Sequence, residues 1–147
     1  MGIISRFPAG ATKPYIEEIY NSYGQLIDVK MYGYETIRDY FFYNCYELAL
    51  TTLPSGITTI GAGAFSRCAS LALTTLPSGI TTIGEYAFNG CSSLASLTFE
   101  GTPESIGGTA FNDCNNLTTI NVPWAEGAVA NAPWGATNAT INYGHTG

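Results

Sequence analysis

A period of 23 residues runs through the middle of this 147-residue chain and limits what it can fold into. Isoleucine, phenylalanine, cysteine and leucine each recur at that interval. The columns are Ile37, Ile60, Ile83 and Ile106; Phe42, Phe65, Phe88 and Phe111; Cys45, Cys68, Cys91 and Cys114; and Leu48, Leu71, Leu94 and Leu117. A fixed period between about 20 and 50 residues is typical of a solenoid. Since a single coil cannot bury its own apolar face, the sequence predicts a stack of four coils over residues 37–123 whose columns form the core.

The spacing inside a repeat predicts the shape of each coil. Phe88, Cys91 and Leu94 are three residues apart, which places them on one face of a helical or 3₁₀ turn. Leu97 and Phe99 are two apart, which is the spacing of a strand. A corner and an extended segment then lead to the next Ile-Gly pair. The predicted fold is a β-rich solenoid of short strand, corner, extended segment and helical or 3₁₀ turn.

The two ends of the chain lack the columns and are predicted to cap the stack within a single domain, 1–147. In the N-terminal cap, 1–36, two β-rich runs at 15–20 and 25–31 flank Asn-Ser-Tyr-Gly, which predicts a hairpin that pairs with the first coil. In the C-terminal cap, 124–147, Trp124 and Trp134 are predicted to cover the core of the last coil. Atypical ends of this kind close the open edges of natural solenoids.

The strand register has one irregularity in the first two coils. The apolar residue expected opposite Leu97 has moved one place towards the N-terminus, to Leu50 and Leu73. A bulge would turn both leucines inward, whereas a slipped register would leave them on the outer surface as an apolar patch. We favour the bulge at this stage and keep the patch as the alternative.

Charge excludes several classes of partner. The net charge is −6, and residues 68–147 contain no Lys or Arg. Nucleic acids and anionic membranes are bound by clustered basic residues, so neither is predicted as a partner. No run approaches the roughly 18 apolar residues of a membrane span, and residues 1–15 lack the continuous apolar block of a signal peptide.

The repeat LxxLxLPxxITxIGxxAFxxCxxL, seen here as LASLTFEGTPESIGGTAFNDCNNL, resembles the BspA-like class of leucine-rich repeats. The resemblance covers about residues 37–123 and departs most at Arg38-Asp39-Tyr40-Phe41 in the first row. Proteins of this class are abundant in bacteria and often lie on cell surfaces. The resemblance therefore implies a leucine-rich-repeat-like solenoid that presents a strand face for adhesion or other protein contacts, without catalysis.

Two functions follow as hypotheses. The first is a non-enzymatic binding or adhesion module in which the strand positions Thr52, Thr75, Thr98 and Asn121 face a protein or glycan. The second is a structural component of a larger surface or phage assembly, which docks or self-associates through the tyrosine-rich N-terminal cap, with Tyr15, Tyr20 and Tyr23 as contacts. The resemblance favours the cell surface or secretion, with a phage particle or the cytoplasm as alternative settings.

The chain shows no predicted catalytic, metal or cofactor site. A column of cysteines forms a line and cannot converge on one ion, so we expect buried, reduced thiols. His145, the single histidine, is expected in a Gly-rich tail away from the columns of hydroxyl and thiol side chains. The acidic pairs Glu17-Glu18 and Glu100 with Glu104 are expected to be solvated loop charges.

Overall fold

The computed structural model describes residues 2–5, for which only the backbone is considered, and 14–146. The rest of the predicted N-terminal cap, including most of the segment examined for a signal peptide, lies outside the described residues. The strands are β1 (Gly2–Ser5), β2 (Tyr15–Tyr20), β3 (Leu26–Tyr32), β4 (Thr36–Ile37), β5 (Thr59–Ile60), β6 (Thr75–Leu76), β7 (Thr82–Ile83), β8 (Ser96–Phe99), β9 (Ser105–Ile106), β10 (Thr119–Asn121) and β11 (Thr140–Asn142).

Two parallel sheets run along the repeat region and confirm the predicted β-solenoid. The Ile sheet has the order β4-β5-β7-β9, and the Leu sheet has the order β11-β10-β8-β6. Within the Ile sheet, Ile37, Ile60, Ile83 and Ile106 are aligned in register. The second and third coils each contribute one short strand to each sheet, whereas the first coil has no strand in the Leu sheet. Pro-Ser-Gly corners at 54–56 and 77–79 separate the two faces. The chain makes about five turns, one more than the four repeat rows predicted.

Stacked aromatic rings form the centre of the core. Neighbouring rings in the Phe42, Phe65, Phe88 and Phe111 column have centroids 5.2–5.4 Å apart and planes inclined by 4–21°, so they are stacked. The Ile and Leu columns are buried beside them, as are Cys68, Cys91 and Cys114, while Cys45 in the first coil is only half-buried. The periodicity in the sequence therefore becomes side-chain stacking between coils.

The predicted helical or 3₁₀ turn is not confirmed, because the segment after each Ile-Gly position is a succession of turns. The residue two places after each phenylalanine has a left-handed backbone, with φ of 61° at Asn44, 64° at Arg67, 72° at Gly90 and 58° at Asp113. A left-handed residue interrupts a right-handed helix. The amides alternate between two kinds of acceptor. Phe65 N and Arg67 N donate to Ala87 O and Asn89 O of the next coil, at 2.7 and 2.6 Å, whereas Ser66 N and Cys68 N donate three residues back in their own coil, at 3.0 and 3.1 Å.

Leu50 and Leu73 both lie inside the solenoid, with exposed fractions of 7% and 2%. In these two coils, the pairs of residues that follow, at 51–52 and 74–75, lie between two buried leucines. In the third coil the corresponding pair precedes the buried Leu97, so the extra residue occupies a different place along the strand. The alternative of an exposed leucine patch is therefore wrong.

The N-terminal hairpin adds a strand to the solenoid register. β2 and β3 pair antiparallel, and Asn21 Oδ1 accepts hydrogen bonds from Tyr23 N and Gln25 N across the turn. β1, which the sequence did not predict, pairs with β2. Ala49 N donates to Ile27 O at 2.9 Å, as Ala72 N donates to Leu50 O one coil later. β3 thus begins where the strand of an earlier coil would lie.

Two buried tryptophans follow the repeat region. Trp134 stands 23 residues after Phe111, is fully buried, and accepts a hydrogen bond from Phe111 N through its backbone oxygen at 2.9 Å. Trp124 is 6% exposed and lies edge-on to Trp134 with centroids 6.0 Å apart. Both tryptophan rings also contact Phe99, with centroids 5.2 and 6.3 Å away. β11 extends the Leu sheet by one strand.

The glycine of each Ile-Gly pair allows neighbouring coils to approach closely. A Cβ atom on Gly84 would lie 2.6 Å from Ala62 N and 2.8 Å from Gly61 C, both backbone atoms that cannot swing aside. Gly61 and Gly107 are similarly crowded by the preceding coil. The glycine in this motif is required by coil spacing.

We expect Gly84→Ala to lower the free energy of unfolding by about 1–3 kcal/mol, since an added methyl overpacks this contact. Urea denaturation followed by tryptophan fluorescence measures the change. Gly56→Ala is the matched control, because a Cβ there has its nearest contact at 3.8 Å, the Tyr34 backbone oxygen. Equal denaturation midpoints for the two variants would contradict this explanation.

Candidate binding face

A column of polar side chains runs across the outward face of the Leu sheet. Strand pairing aligns Thr75 with Thr98, Thr98 with Asn121, and Asn121 with Asn142. Thr75, Thr98 and Asn121 are half-buried and Asn142 is exposed. Three of the four predicted contact positions are therefore brought together. Thr52 is exposed in the first coil, outside the strands of this sheet.

Hydrogen bonds between these side chains fix their orientation. Asn121 Nδ2 donates to Thr98 Oγ1 at 3.1 Å, and Asn142 Nδ2 donates to Asn121 Oδ1 at 2.8 Å. We call Thr98, Asn121 and Asn142 the polar ladder. A side chain held in this way loses less rotamer freedom when a partner binds. The polar ladder is thus a preorganised set of donors and acceptors.

Sequence reasoning missed Asn142 because the last strand is offset by 21 residues from the preceding one, as the pairing of Asn121 with Asn142 shows. A usable signal exists in the repeated tripeptide Thr-Ile-Asn, which forms both β10 and β11. The 23-residue columns do not detect it.

A groove of about 570 Å³ lies beside the polar ladder. Its lining residues are Thr75, Thr98, Phe99, Glu100, Pro123, His145 and Thr146. The backbone holds the C-terminal segment in place, since His145 N donates to Val122 O and Gly144 N to Trp124 O, both at 2.9 Å. The expectation that His145 lies away from every hydroxyl column is therefore wrong, because it shares this groove with Thr75 and Thr98.

The groove offers hydrogen-bonding groups, without a catalytic arrangement among the described residues. Nucleophilic catalysis of the Ser-His type requires a base hydrogen-bonded to the nucleophile. In the described part of the chain, no hydrogen bond joins the His145 imidazole to a hydroxyl or carboxyl group. Among the same residues, no group of three or more His, Cys, Asp or Glu side chains is placed to hold a metal ion, and no helix is long and apolar enough to cross a membrane.

The predicted tyrosine contacts of the N-terminal cap are placed differently from one another. The Tyr15 ring stacks on Tyr32 at 4.6 Å, and the Tyr20 hydroxyl donates to Glu18 Oε2 at 3.0 Å. Tyr23 is 87% exposed at the hairpin turn. Only Tyr23 of the three presents most of its ring to solvent.

The two acidic pairs differ in their exposure to solvent. Glu17 and Glu18 lie in strand β2, and Glu18 is only 6% exposed, so the expectation of solvated loop charges is wrong for this pair. Glu100 and Glu104 are exposed, and Glu100 lines the groove.

The cysteine column is structural. Cys68, Cys91 and Cys114 each donate from Sγ to the backbone oxygen of a phenylalanine in the preceding coil, at 3.0–3.1 Å. All four thiols are free. Burial raises the pKa of Cys68 and Cys114 to about 12 and that of Cys91 well above its usual value of 9.0. These thiols remain protonated and unreactive at neutral pH.

We expect four reactive thiols in denaturant without reductant, and in the folded protein a slow reaction at the half-buried Cys45 alone. Thiol labelling at pH 8 measures both counts, and Cys45→Ser should remove the reaction of the folded protein. A count of zero in denaturant would show disulfides and refute the assignment.

The folded state holds the thiol protons of the buried cysteines more tightly than the unfolded state does. The free energy of unfolding should therefore be complete below pH 9 and fall as the pH rises towards 12.

The two parallel sheets, the buried repeat columns and the outward polar face define a leucine-rich-repeat solenoid. The sequence matches the family described as BspA type leucine rich repeat region, with six copies over residues 20–128. The chain therefore belongs to the BspA-type leucine-rich repeat family. The matched region begins in the N-terminal hairpin, which agrees with the position of β3 where the strand of an earlier coil would lie. Repeat proteins of this family commonly mediate protein binding and are generally non-enzymatic.

A solved structure supports the same fold. The crystal structure of a leucine-rich repeat protein from Bacteroides ovatus ATCC 8483, at 1.19 Å resolution, aligns with a TM-score of 0.61 and 26% sequence identity. The alignment covers 76% of this chain and 29% of that chain, so this chain corresponds to a minor part of that protein. A comparison with curated proteins found no similar sequence.

Proposed function

We propose that this protein is a non-enzymatic binding module of the adhesion type, which uses the outward face of the Leu sheet to contact a protein or glycan. The polar ladder is the observation that carries this proposal. Its side chains are oriented by one another and border a groove that contains hydroxyl, carboxyl and imidazole groups. Such a surface recognises a partner by shape and hydrogen bonding.

The charge distribution supports this type of recognition. The coils that form the Leu sheet come mainly from residues 68–147, which contain no Lys or Arg. Electrostatic capture of nucleic acid or of an anionic membrane requires a basic surface. A face without basic side chains relies on close fit and on satisfied hydrogen bonds, as the interior of a specific interface does. A cell-surface or secreted setting is part of this proposal.

The proposed face can be tested by placing charge in the middle of it. We expect the double variant Thr98→Lys and Asn121→Lys to abolish binding to ligands detected on glycan and extracellular-protein arrays, because two long cations replace the polar ladder. Ser55→Lys, at an exposed corner of the first coil, is the matched control and should retain binding. Binding that survives the double variant in a folded protein would place the contact elsewhere.

A second function is a structural role in a larger surface or phage assembly. One observation favours it, namely that Tyr23 is 87% exposed at the tip of a hairpin whose turn is fixed by Asn21. A rigid tip with an exposed tyrosine is suited to insertion into a pocket on another subunit. Docking of a tip into a different surface is heterologous and produces open chains of subunits unless the ring closes.

For this role we expect the purified protein to form species larger than a dimer as its concentration rises. Tyr23→Ser should return it to a monomer of 15.6 kDa, because the tip loses its ring. Sedimentation velocity distinguishes these states. A protein whose size distribution is the same with and without the substitution would exclude docking through the tip.

A further inference from the structure

Four exposed tyrosines lie on the turn segments of the coils, three of them in the first coil and Tyr86 two coils further along. Tyr40, Tyr43, Tyr46 and Tyr86 have exposed fractions of 59%, 44%, 49% and 47%. We call these four residues the tyrosine patch. The Tyr40 and Tyr43 rings meet edge to face, with centroids 5.8 Å apart. The patch belongs to neither the Leu sheet nor the hairpin tip, so it is independent of both functions proposed above.

The backbone at two of these tyrosines is unfavourable for a residue with a side chain. Tyr40 has φ of 57° and Tyr86 has φ of 58°, whereas the equivalent residue of the coil between them is Gly63, with φ of 61°. Glycine adopts this left-handed conformation freely, and other residues are strained in it. The glycine at position 63 therefore adopts without strain the backbone conformation that strains Tyr40 and Tyr86. Residues held in such conformations concentrate at functional sites.

Burial within the chain offsets little of this strain, because about half of each ring is exposed. The contacts that do form orient the rings. A Cβ on Gly63 would meet the Tyr40 ring, at 2.6 Å from Cδ1, so the absence of a side chain there leaves room for the ring. Tyr40 N also donates to Ala62 O at 2.9 Å, which ties this backbone to the next coil. The patch is therefore preorganised before any partner arrives.

Charged side chains of both signs surround the patch. Arg67, in the coil between Tyr40 and Tyr86, is exposed and hydrogen-bonds to Tyr43, and Arg38 is exposed two residues before Tyr40. The exposed carboxylates beside the patch are Asp39, Glu47 and Glu85. Asp39 accepts a hydrogen bond from Ala62 N at 2.8 Å, and Glu85 accepts from Gly108 N and Thr109 N at 3.1 and 3.0 Å. A partner of a single sign would meet repulsion from one of these groups. A second copy of the same surface, turned by a two-fold rotation, presents carboxylates to arginines and arginines to carboxylates.

The exposed area of the four rings alone is below the usual lower limit for a specific interface. With aromatic side chains of about 150–250 Å² each, the exposed parts of the four rings amount to roughly 300–500 Å² per copy. Two copies together would bury roughly 600–1,000 Å² before the surrounding charged residues are added. Specific interfaces start at about 1,000–1,200 Å², so the contact would be weak and dependent on concentration.

We propose that Tyr40, Tyr43, Tyr46 and Tyr86 form the centre of an isologous interface between two copies of this chain, with Arg67 and the neighbouring carboxylates pairing across the two-fold axis. Tyrosine and arginine are the residues most enriched at the energetic centres of interfaces. Tyr40 and Tyr86 then serve association between copies, although their side chains strain the backbone of each copy.

The test combines mass and stability measurements on the full chain. Sedimentation equilibrium from about 1 μM to about 1 mM should show the mass rising from 15.6 kDa and levelling at twice that value. The double variant Tyr40→Gly and Tyr86→Gly should remain a monomer throughout, and at low concentration its melting temperature should stay within roughly 2 °C of the parent or rise, because strain is relieved. Tyr23→Ser is the control and should dimerise like the parent.

The remaining outcomes each overturn the proposal. A parent protein that stays monomeric over the whole range has no such interface, and the tyrosine patch would then face a different partner. Growth beyond a dimer, abolished by Tyr23→Ser, assigns association to the hairpin tip. A dimer that survives the double variant lies elsewhere on the surface. A melting temperature that falls by roughly 5 °C or more in the double variant gives the tyrosines a structural role within one copy.

Discussion

The separation between successive coils is the constraint on which the rest of this structure depends. Stacked phenylalanine rings lie 5.2–5.4 Å apart, and backbone hydrogen bonds join each coil to the next on both sheets and along the turn segments. The buried thiols donate to phenylalanine carbonyls across the same gap. Where the backbones come closest, only glycine fits, as at Gly84. The stacked rings, the hydrogen bonds, the thiols and the glycines are therefore all adapted to the same separation between coils.

This dependence explains which parts of the fold the sequence predicts well. Stacking requires the same residue type at the same place in each coil, so Phe65, Phe88 and Phe111 form a periodic signal that can be read directly. The turn segment is different, because its left-handed position holds Asn44, Arg67, Gly90 and Asp113 in successive coils. No residue type marks that position, and the spacing of three therefore suggested a helical turn. The last strand escaped prediction for a related reason, since its register with β10 has a shorter offset than the repeat period.

The candidate binding face was only partly predictable. Alternation along a strand was enough to place Thr75, Thr98 and Asn121 on one outward column, although their role in binding stays a prediction. The groove depends on His145 being brought back across the sheet by backbone hydrogen bonds that leave no pattern in the sequence. The tyrosines show the same limit, because Tyr15 and Tyr86 are distant in the chain and only folding decides which rings are covered. The sequence identified a tyrosine-rich N-terminal cap without identifying which tyrosines are exposed.

Residues 48–61 and 71–84 are identical in sequence, and they occupy equivalent places in the first two coils. Each of these segments therefore presents the same groups to its neighbouring coils. For example, Ala49 N and Ala72 N make equivalent hydrogen bonds to the preceding strand, with Ile27 O and Leu50 O. A duplicated coil inserted at this junction would meet matching surfaces along these two identical segments. The gene can thus gain or lose whole 23-residue units here without redesign of the core, which makes the length of the protein itself open to variation.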